Sequence, residues 1–170
     1  NINGSSDTVG AVVLQNGTIT GTSGVLSGTS YSFREGTVSA IIAGGAAVVT
    51  RVATNTAVDS VVTMTRDNTY TGATTITSGI LKLGATGGGT NTPLGTSAGG
   101  VAIASGGALD LNGFTLGTAE AITSLAGTGF GASGSSNMGA IMNSSGSSAS
   151  YSGAIVMGAA GRINADAGAM

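Results

Sequence analysis

The side chains in this sequence whose types and spacing could do chemistry are four carboxylates. Asp59 and Asp67 flank one short apolar run. Asp110 and Glu120 stand ten residues apart, a separation that a chain turning back on itself can close toward the carboxylate pair needed for glycoside cleavage. A structural reading competes with the catalytic one. Asp110 and Lys82 alternate with leucines, which makes them outward, solvated wall positions, and Asp59 and Asp67 border a strand as turn residues do.

Other reactive arrangements are excluded by composition. With no histidine and no cysteine among 170 residues, Ser-His-Asp and Cys-His sets, the usual zinc ligands and disulfides are all unavailable. The stretch GFGASG (129–134) satisfies a G-x-G-x-x-G pattern, but no helix pattern follows it to present a positive N-terminus to phosphate. Five Lys plus Arg against seven Asp plus Glu give a net charge of −2 without a block of either sign, so the clustered cations that nucleic-acid binding needs are missing. No nucleic-acid partner is expected. Thr-x-Thr recurs at Thr18, Thr54, Thr63, Thr69 and Thr75 at irregular intervals, a weak outward ladder. The rings of Tyr31, Tyr70, Tyr151, Phe33, Phe114 and Phe130 suit core or turn packing better than stacking on sugars. The charges Arg34, Glu35, Arg51, Arg66 and Arg162 read as solvated surface groups able to tune lateral contacts. The expectation is therefore a protein that is not an enzyme, with no catalytic, cofactor-binding or metal residues and no cofactor.

The elements that must hold these residues are short strands. Charged residues are only 7% of the chain against about 25% in ordinary domains, 32 positions are glycine and one is proline. Glycine and the abundant Thr, Ser, Val and Ile disfavour helix and suit strands and turns. A hydrophobic content of 41% and a mean hydropathy of +0.38 separate the chain from solvated disorder. The longest nearly apolar run, 40–49, contains two glycines and falls short of the roughly 18–20 residues that cross a bilayer. No membrane insertion by this segment is expected.

Apolar patches of about one strand each recur between Gly- and Asn-rich corners, which fits either a β-sandwich or jelly roll with hairpins or a solenoid of stacked coils. Asn-Gly pairs at 3–4, 16–17 and 112–113 serve hairpins and left-handed solenoid corners alike. Internal similarity favours the solenoid: LQNGTITGT (14–22) matches LNGFTLGT (111–118), and VSAIIAGGAAV (38–48) matches VAIASGGALDL (101–111). A right-handed parallel β-helix is the expected all-β fold, with the sandwich or jelly roll as runner-up. One solenoid segment spans 1–170, and 84–100 and 127–152 are Gly/Ser-rich loops.

NTYTGATTITSGILKLG (68–84) resembles the autotransporter-associated β-strand repeat, with its Asn-Thr-Tyr-Thr-Gly opening, Thr-rich strand, glycine and Leu-x-Leu. GGVAIASGGALDLNGFTLG (99–117) is similar to the second half of that repeat. The resemblance covers about a third of the chain. It implies a right-handed β-helical passenger of a bacterial cell-surface or secreted protein, hence a stalk, fibre or adhesin segment in an extracellular setting, and it brings no catalytic residues. The C-terminus departs from the pattern in having no amphipathic translocator strands. Reading Met170 into Asn1 gives NADAGAMNINGSSDTVG, an acceptable coil across the join. End-to-end self-association with copies of the chain or adjoining repeats is thus expected, with a host or matrix glycan or protein as the alternative partner of an adhesin loop.

Overall fold

The computed structural model describes residues 1–45, 49–51, 60–130 and 138–170. Among these the protein is all-β and has no helix, and no helix is long and apolar enough to cross a membrane. Two long parallel sheets dominate. Sheet I contains β2 (Ala11–Leu14), β5 (Ser30–Phe33), β8 (Val49–Arg51), β10 (Thr74–Ile76), β14 (Val101–Ile103), β16 (Ile122–Gly127) and β18 (Ile155–Gly161), in that spatial order. Sheet II contains β3 (Thr18–Ile19), β6 (Gly36–Val38), β9 (Val61–Met64), β11 (Gly79–Leu83), β15 (Gly107–Asp110), β17 (Ile141–Asn143) and β19 (Ile163–Ala165), also in chain order. β1 (Asp7–Thr8), β4 (Val25–Ser27) and β7 (Ile41–Ala43) form a third, short parallel sheet, and β12 (Asn91–Thr92) with β13 (Gly95–Thr96) is an antiparallel hairpin.

Each passage of the chain adds one strand to sheet I and the next to sheet II, a pair called a rung below. Every pairing between named strands except β12–β13 is parallel. The hairpin-linked strands of a sandwich or jelly roll pair antiparallel, so the Asn-Gly pairs are not hairpin turns here. They are left-handed corners: Asn3 and Asn112 have φ of 47° and 49°, and Gly17 has φ 104°. The next glycine in the stack, Gly36, has φ 124°, and a Cβ on it would lie 2.0 Å from the Gly17 carbonyl oxygen.

The register follows the alternation of side chains and shifts only at β16, once against β14 and twice against β18. One sheet I column runs Val12, Tyr31, Val49, Thr74, Val101, Ile122, Ile155. Its neighbour runs Leu14, Phe33, Arg51, Ile76, Ile103, Leu125, Met157. In sheet II, Val62, Leu81, Leu109, Ile141 and Ile163 align. These columns meet in one core, where Phe33, Val62, Ile76, Leu81, Leu109, Ile122 and Leu125 have no exposed area. Each fully buried aliphatic or aromatic side chain of this kind contributes about 1.5–3 kcal/mol.

A second apolar cluster lies outside the main core, with Ile80, Ala108, Met142 and Phe130 buried together and Val61 and Met138 against them. Ile80 alternates with the core residues Leu81 and Leu83, so this cluster covers the outer face of sheet II. Phe130 and β17 fall inside 127–152, which the sequence suggests as a loop; the hairpin β12–β13 falls inside 84–100, where Thr92, Pro93, Leu94 and Gly95 are buried.

Candidate functional site

The phrase at 68–72 builds a polar knot beside β7 of the short sheet. Asn68 is buried and takes the place of a further strand above β7. Its Oδ1 accepts from the Ile42 amide at 2.8 Å, and its Nδ2 donates to the Arg66 and Pro93 carbonyls at 3.1 and 2.8 Å. Two residues on, the buried Tyr70 hydroxyl lies 2.6 Å from Thr74 Oγ1. The Thr74 hydroxyl donates to the Leu94 carbonyl at 2.8 Å, so Tyr70 is the donor to Thr74. A Cβ on Gly95 would sit 2.5 Å from the Tyr70 ring, and that glycine lets the β12–β13 hairpin lie on it.

Glu120, just before β16, closes the knot. It is 1% exposed; its Oε2 accepts from Thr92 Oγ1 at 2.7 Å, and its Oε1 is buried without a hydrogen-bond partner. Thr92 Oγ1 in turn accepts from the Leu94 amide at 3.0 Å, and the Tyr151 hydroxyl donates to the Glu120 carbonyl at 2.6 Å. Burial pushes the Glu120 carboxyl up to about 7 against the opposing hydrogen bond from Thr92. Burial also raises Tyr70 and Tyr151, with the Glu120 charge adding to both.

Asp110 forms a separate knot. Its carboxylate accepts from the Asn112 amide at 2.9 Å, the Ser144 amide at 3.0 Å and Ser144 Oγ at 2.6 Å, while Lys82 Nζ stands 3.5 Å away. The expectation of a solvated wall position fails for Asp110, which is 2% exposed because Ser144, following β17, folds over it. Lys82 remains partly exposed, as outward alternation implies, and its Nζ also donates to Ser144 Oγ at 3.2 Å.

Of the four candidate carboxylates, the three described, Asp67, Asp110 and Glu120, do not assemble. Asp110 and Glu120 share no hydrogen-bond partner, and Asp67 lines an open notch with Ile41, Thr65, Arg66 and Ala85. Asp59 lies outside the described residues, as do Thr54 and 131–134 of the GFGASG stretch. Among the described residues no three or more acidic groups gather where a metal ion could bind. Arg66 is tied down, its guanidinium donating to the Ser39 carbonyl at 3.3 Å and to the Thr22 carbonyl, while Arg34 reaches Gln15 Oε1 at 3.3 Å. Arg51 pairs in register between Phe33 and Ile76. Arg162 and Glu35 are exposed. Tyr31, Phe33 and Tyr70 are in the main core, Phe130 is in the outer cluster, and Phe114 and Tyr151 are half-buried against the core. Thr18, Thr37 and Thr63 share one outer column of sheet II, Thr75 belongs to sheet I, and Thr69 is at a corner.

Sequence reasoning passed over Asn68, Thr92 and Asn143. Asn143 is fully buried; its Oδ1 accepts from the Gly113 and Ser145 amides at 2.8 and 3.2 Å, and its Nδ2 donates to the Ser147 and Ala169 carbonyls at 2.9 and 3.0 Å. The signal for Asn68 was its place at the head of the repeat phrase; for Thr92 and Asn143 the partners are distant in sequence. Comparison of the chain with protein-family models, curated proteins and solved structures gives no match.

Proposed function

We propose that the chain winds as a right-handed β-solenoid and serves as a structural, non-catalytic module of a bacterial extracellular fibre, stalk or surface-protein passenger. One observation carries this reading. The two phrases that resemble the autotransporter-associated repeat lie on neighbouring rungs and pair residue for residue, Thr74–Ile76 with Val101–Ile103 and Gly79–Lys82 with Gly107–Asp110. A phrase that repeats in register supplies backbone hydrogen bonds and apolar columns rung after rung, at about 4.8 Å per rung and about 35 Å for the whole stack. The buried polar groups support the same role. Asn68 and Asn143, and beside them the half-buried Asn112, bond to chain that precedes or follows their own rung, and Asp110 and Glu120 are enclosed by protein.

Immunogold labelling of intact producing cells tests this reading. Label on surface fibres or stalks supports it, and label confined to lysed cells sinks it. Saturable binding to a glycan or matrix-protein panel, lost on replacing the exposed tips at 86–90 or 146–148, would instead make the chain an adhesin passenger.

A further inference from the structure

We propose that the Glu120 carboxyl is the latch of the β12–β13 hairpin: with its proton in place the hairpin is closed over Tyr70, and loss of that proton lets 84–100 open by itself. The inference concerns this hairpin alone and does not rest on the role proposed for the whole chain.

The carboxyl and the hairpin compete for one hydroxyl proton. Thr92 Oγ1 lies 2.7 Å from Glu120 Oε2 and 3.3 Å from the Gly95 carbonyl oxygen, and it accepts from the Leu94 amide at 3.0 Å. With a proton on Oε2 the first of these bonds reverses: the carboxyl donates to Thr92 Oγ1, and the Thr92 hydroxyl is free to close on the Gly95 carbonyl. The proton and both lone pairs of the hydroxyl are then in use. Ionised, the carboxylate draws the Thr92 hydroxyl to itself and the Gly95 carbonyl loses that donor. Oε1, buried without a partner, then shares a charge that nothing bonds. The surroundings do not neutralise it. Among the described residues no lysine or arginine forms a salt bridge with Glu120, and 84–100 and 117–127 contain no other titratable side chain. The groups that interact with it from other segments are Tyr70 and Tyr151; burial raises both, the Glu120 charge adds to the rise, and both keep their protons through neutral pH.

The topology lets the hairpin move without the solenoid walls. β12 and β13 pair with each other and belong to neither long sheet, so their opening breaks no rung of sheet I or sheet II. What it breaks is a set of single bonds: Asn68 N to the Thr92 carbonyl at 2.9 Å, Asn68 Nδ2 to the Pro93 carbonyl at 2.8 Å, Thr74 Oγ1 to the Leu94 carbonyl at 2.8 Å and Thr96 N to the Tyr70 carbonyl at 3.0 Å. Left-handed glycines bracket the segment, Gly87 and Gly89 at φ 70° and 62° before it and Gly100 at φ 68° after it, and these are ready pivots. The sign of the coupling follows from enclosure. Burial holds the Glu120 carboxyl at about 7 in the closed hairpin against an ordinary 4.5 in solvent, so the closed form is favoured fully below pH 4.5 and that advantage is lost as pH rises through 7.

Amide hydrogen exchange followed by NMR, with each rate divided by that of the unfolded chain at the same pH, reads this opening residue by residue. The Leu94 and Thr96 amides should exchange through an opening more frequent than that of Leu109 and Leu111, which donate to the Ala140 and Met142 carbonyls in the core. Their protection should fall roughly 10- to 100-fold between pH 5 and pH 8. The fall should level off where the Glu120 carboxyl carbon signal titrates, a reading that needs no variant. In Glu120→Gln, neutral throughout, it should vanish while the hairpin still opens ahead of the core. Hairpin protection that stays flat while the carboxyl titrates overturns the proposal. So does exchange of Leu94 and Thr96 only in step with Leu109 and Leu111, because the proton then acts on global unfolding alone. A pH-dependent opening at 149–154 in place of the hairpin overturns it as well and assigns the release to the Tyr151 side.

Discussion

Lys82 and Asp110 hold the same register position on β11 and β15, and their ammonium and carboxylate meet at 3.5 Å. The pair is unequal. Lys82 is partly in solvent, whereas Asp110 is enclosed and accepts from two backbone amides and the Ser144 hydroxyl.

Removing the two partners should therefore have different consequences. Lys82→Met is expected to cost no more than about 1 kcal/mol, the range of a part-exposed ion pair. Asp110→Ala leaves the Asn112 and Ser144 amides without their acceptor and is expected to cost about 2–4 kcal/mol. Urea unfolding of both variants measures this, and equal losses would refute the enclosed role of Asp110.

Glu120 gives stability a pH dependence of defined sign. Its carboxyl stands at about 7 in the folded chain against an ordinary 4.5, so the folded state holds the proton more tightly than the unfolded state. The resulting stabilisation is fully present below pH 4.5 and is lost as pH rises through 7. At about 1.4 kcal/mol per unit of offset, the protein should be about 1–3 kcal/mol less stable at pH 8 than at pH 5. Glu120→Gln, neutral throughout, should remove most of that slope. A slope unchanged in the variant would place its origin elsewhere.

The corner at Gly36 should tolerate no side chain. Alanine there meets both a φ of 124° and the Gly17 carbonyl oxygen at 2.0 Å, so Gly36→Ala is expected to cost at least about 3 kcal/mol. Gly10 has nothing within 4 Å of a Cβ and no positive φ, and Gly10→Ala should be neutral or stabilise by up to about 1 kcal/mol. Thermal unfolding of the two variants side by side checks the contrast.

Much of the strand content was legible because alternation and corner residues are local. Ile76, Ile80, Leu81 and Leu83 stand in β10 and β11, where the repeat phrase puts them. The internal alignments were legible only as chemistry, not as position. Asn16-Gly17 joins β2 to β3, from sheet I to sheet II, whereas Asn112-Gly113 follows β15 and leads out of sheet II. Likewise the described part of the other stretch, 38–45, runs from β6 into β7 of the short sheet, whereas 101–111 runs from β14 into β15. A left-handed corner asks for the same residues wherever it occurs, so Asn-Gly marks a corner without saying which one. Asp110 shows the other limit. Alternation gives its outward direction, but the cover comes from Ser144, 34 residues later, and no local pattern announces it.

The last prediction concerns Asn68, whose carboxamide uses both of its ends. Asn68→Ala strips the Ile42 amide and the Arg66 and Pro93 carbonyls of buried partners and should cost about 2–4 kcal/mol. Asn68→Asp keeps the acceptor for Ile42 but turns carboxylate oxygen toward two carbonyls that need a donor. A charge enclosed in that way is worse than a missing group, so near pH 7 the aspartate should be less stable than the alanine. Protonation returns one donor, and the ranking should reverse as pH falls below the ordinary aspartate range. Urea midpoints at pH 7 and pH 3 decide the matter: an aspartate variant as stable as wild type at pH 7 would mean that Nδ2 of Asn68 holds nothing in place.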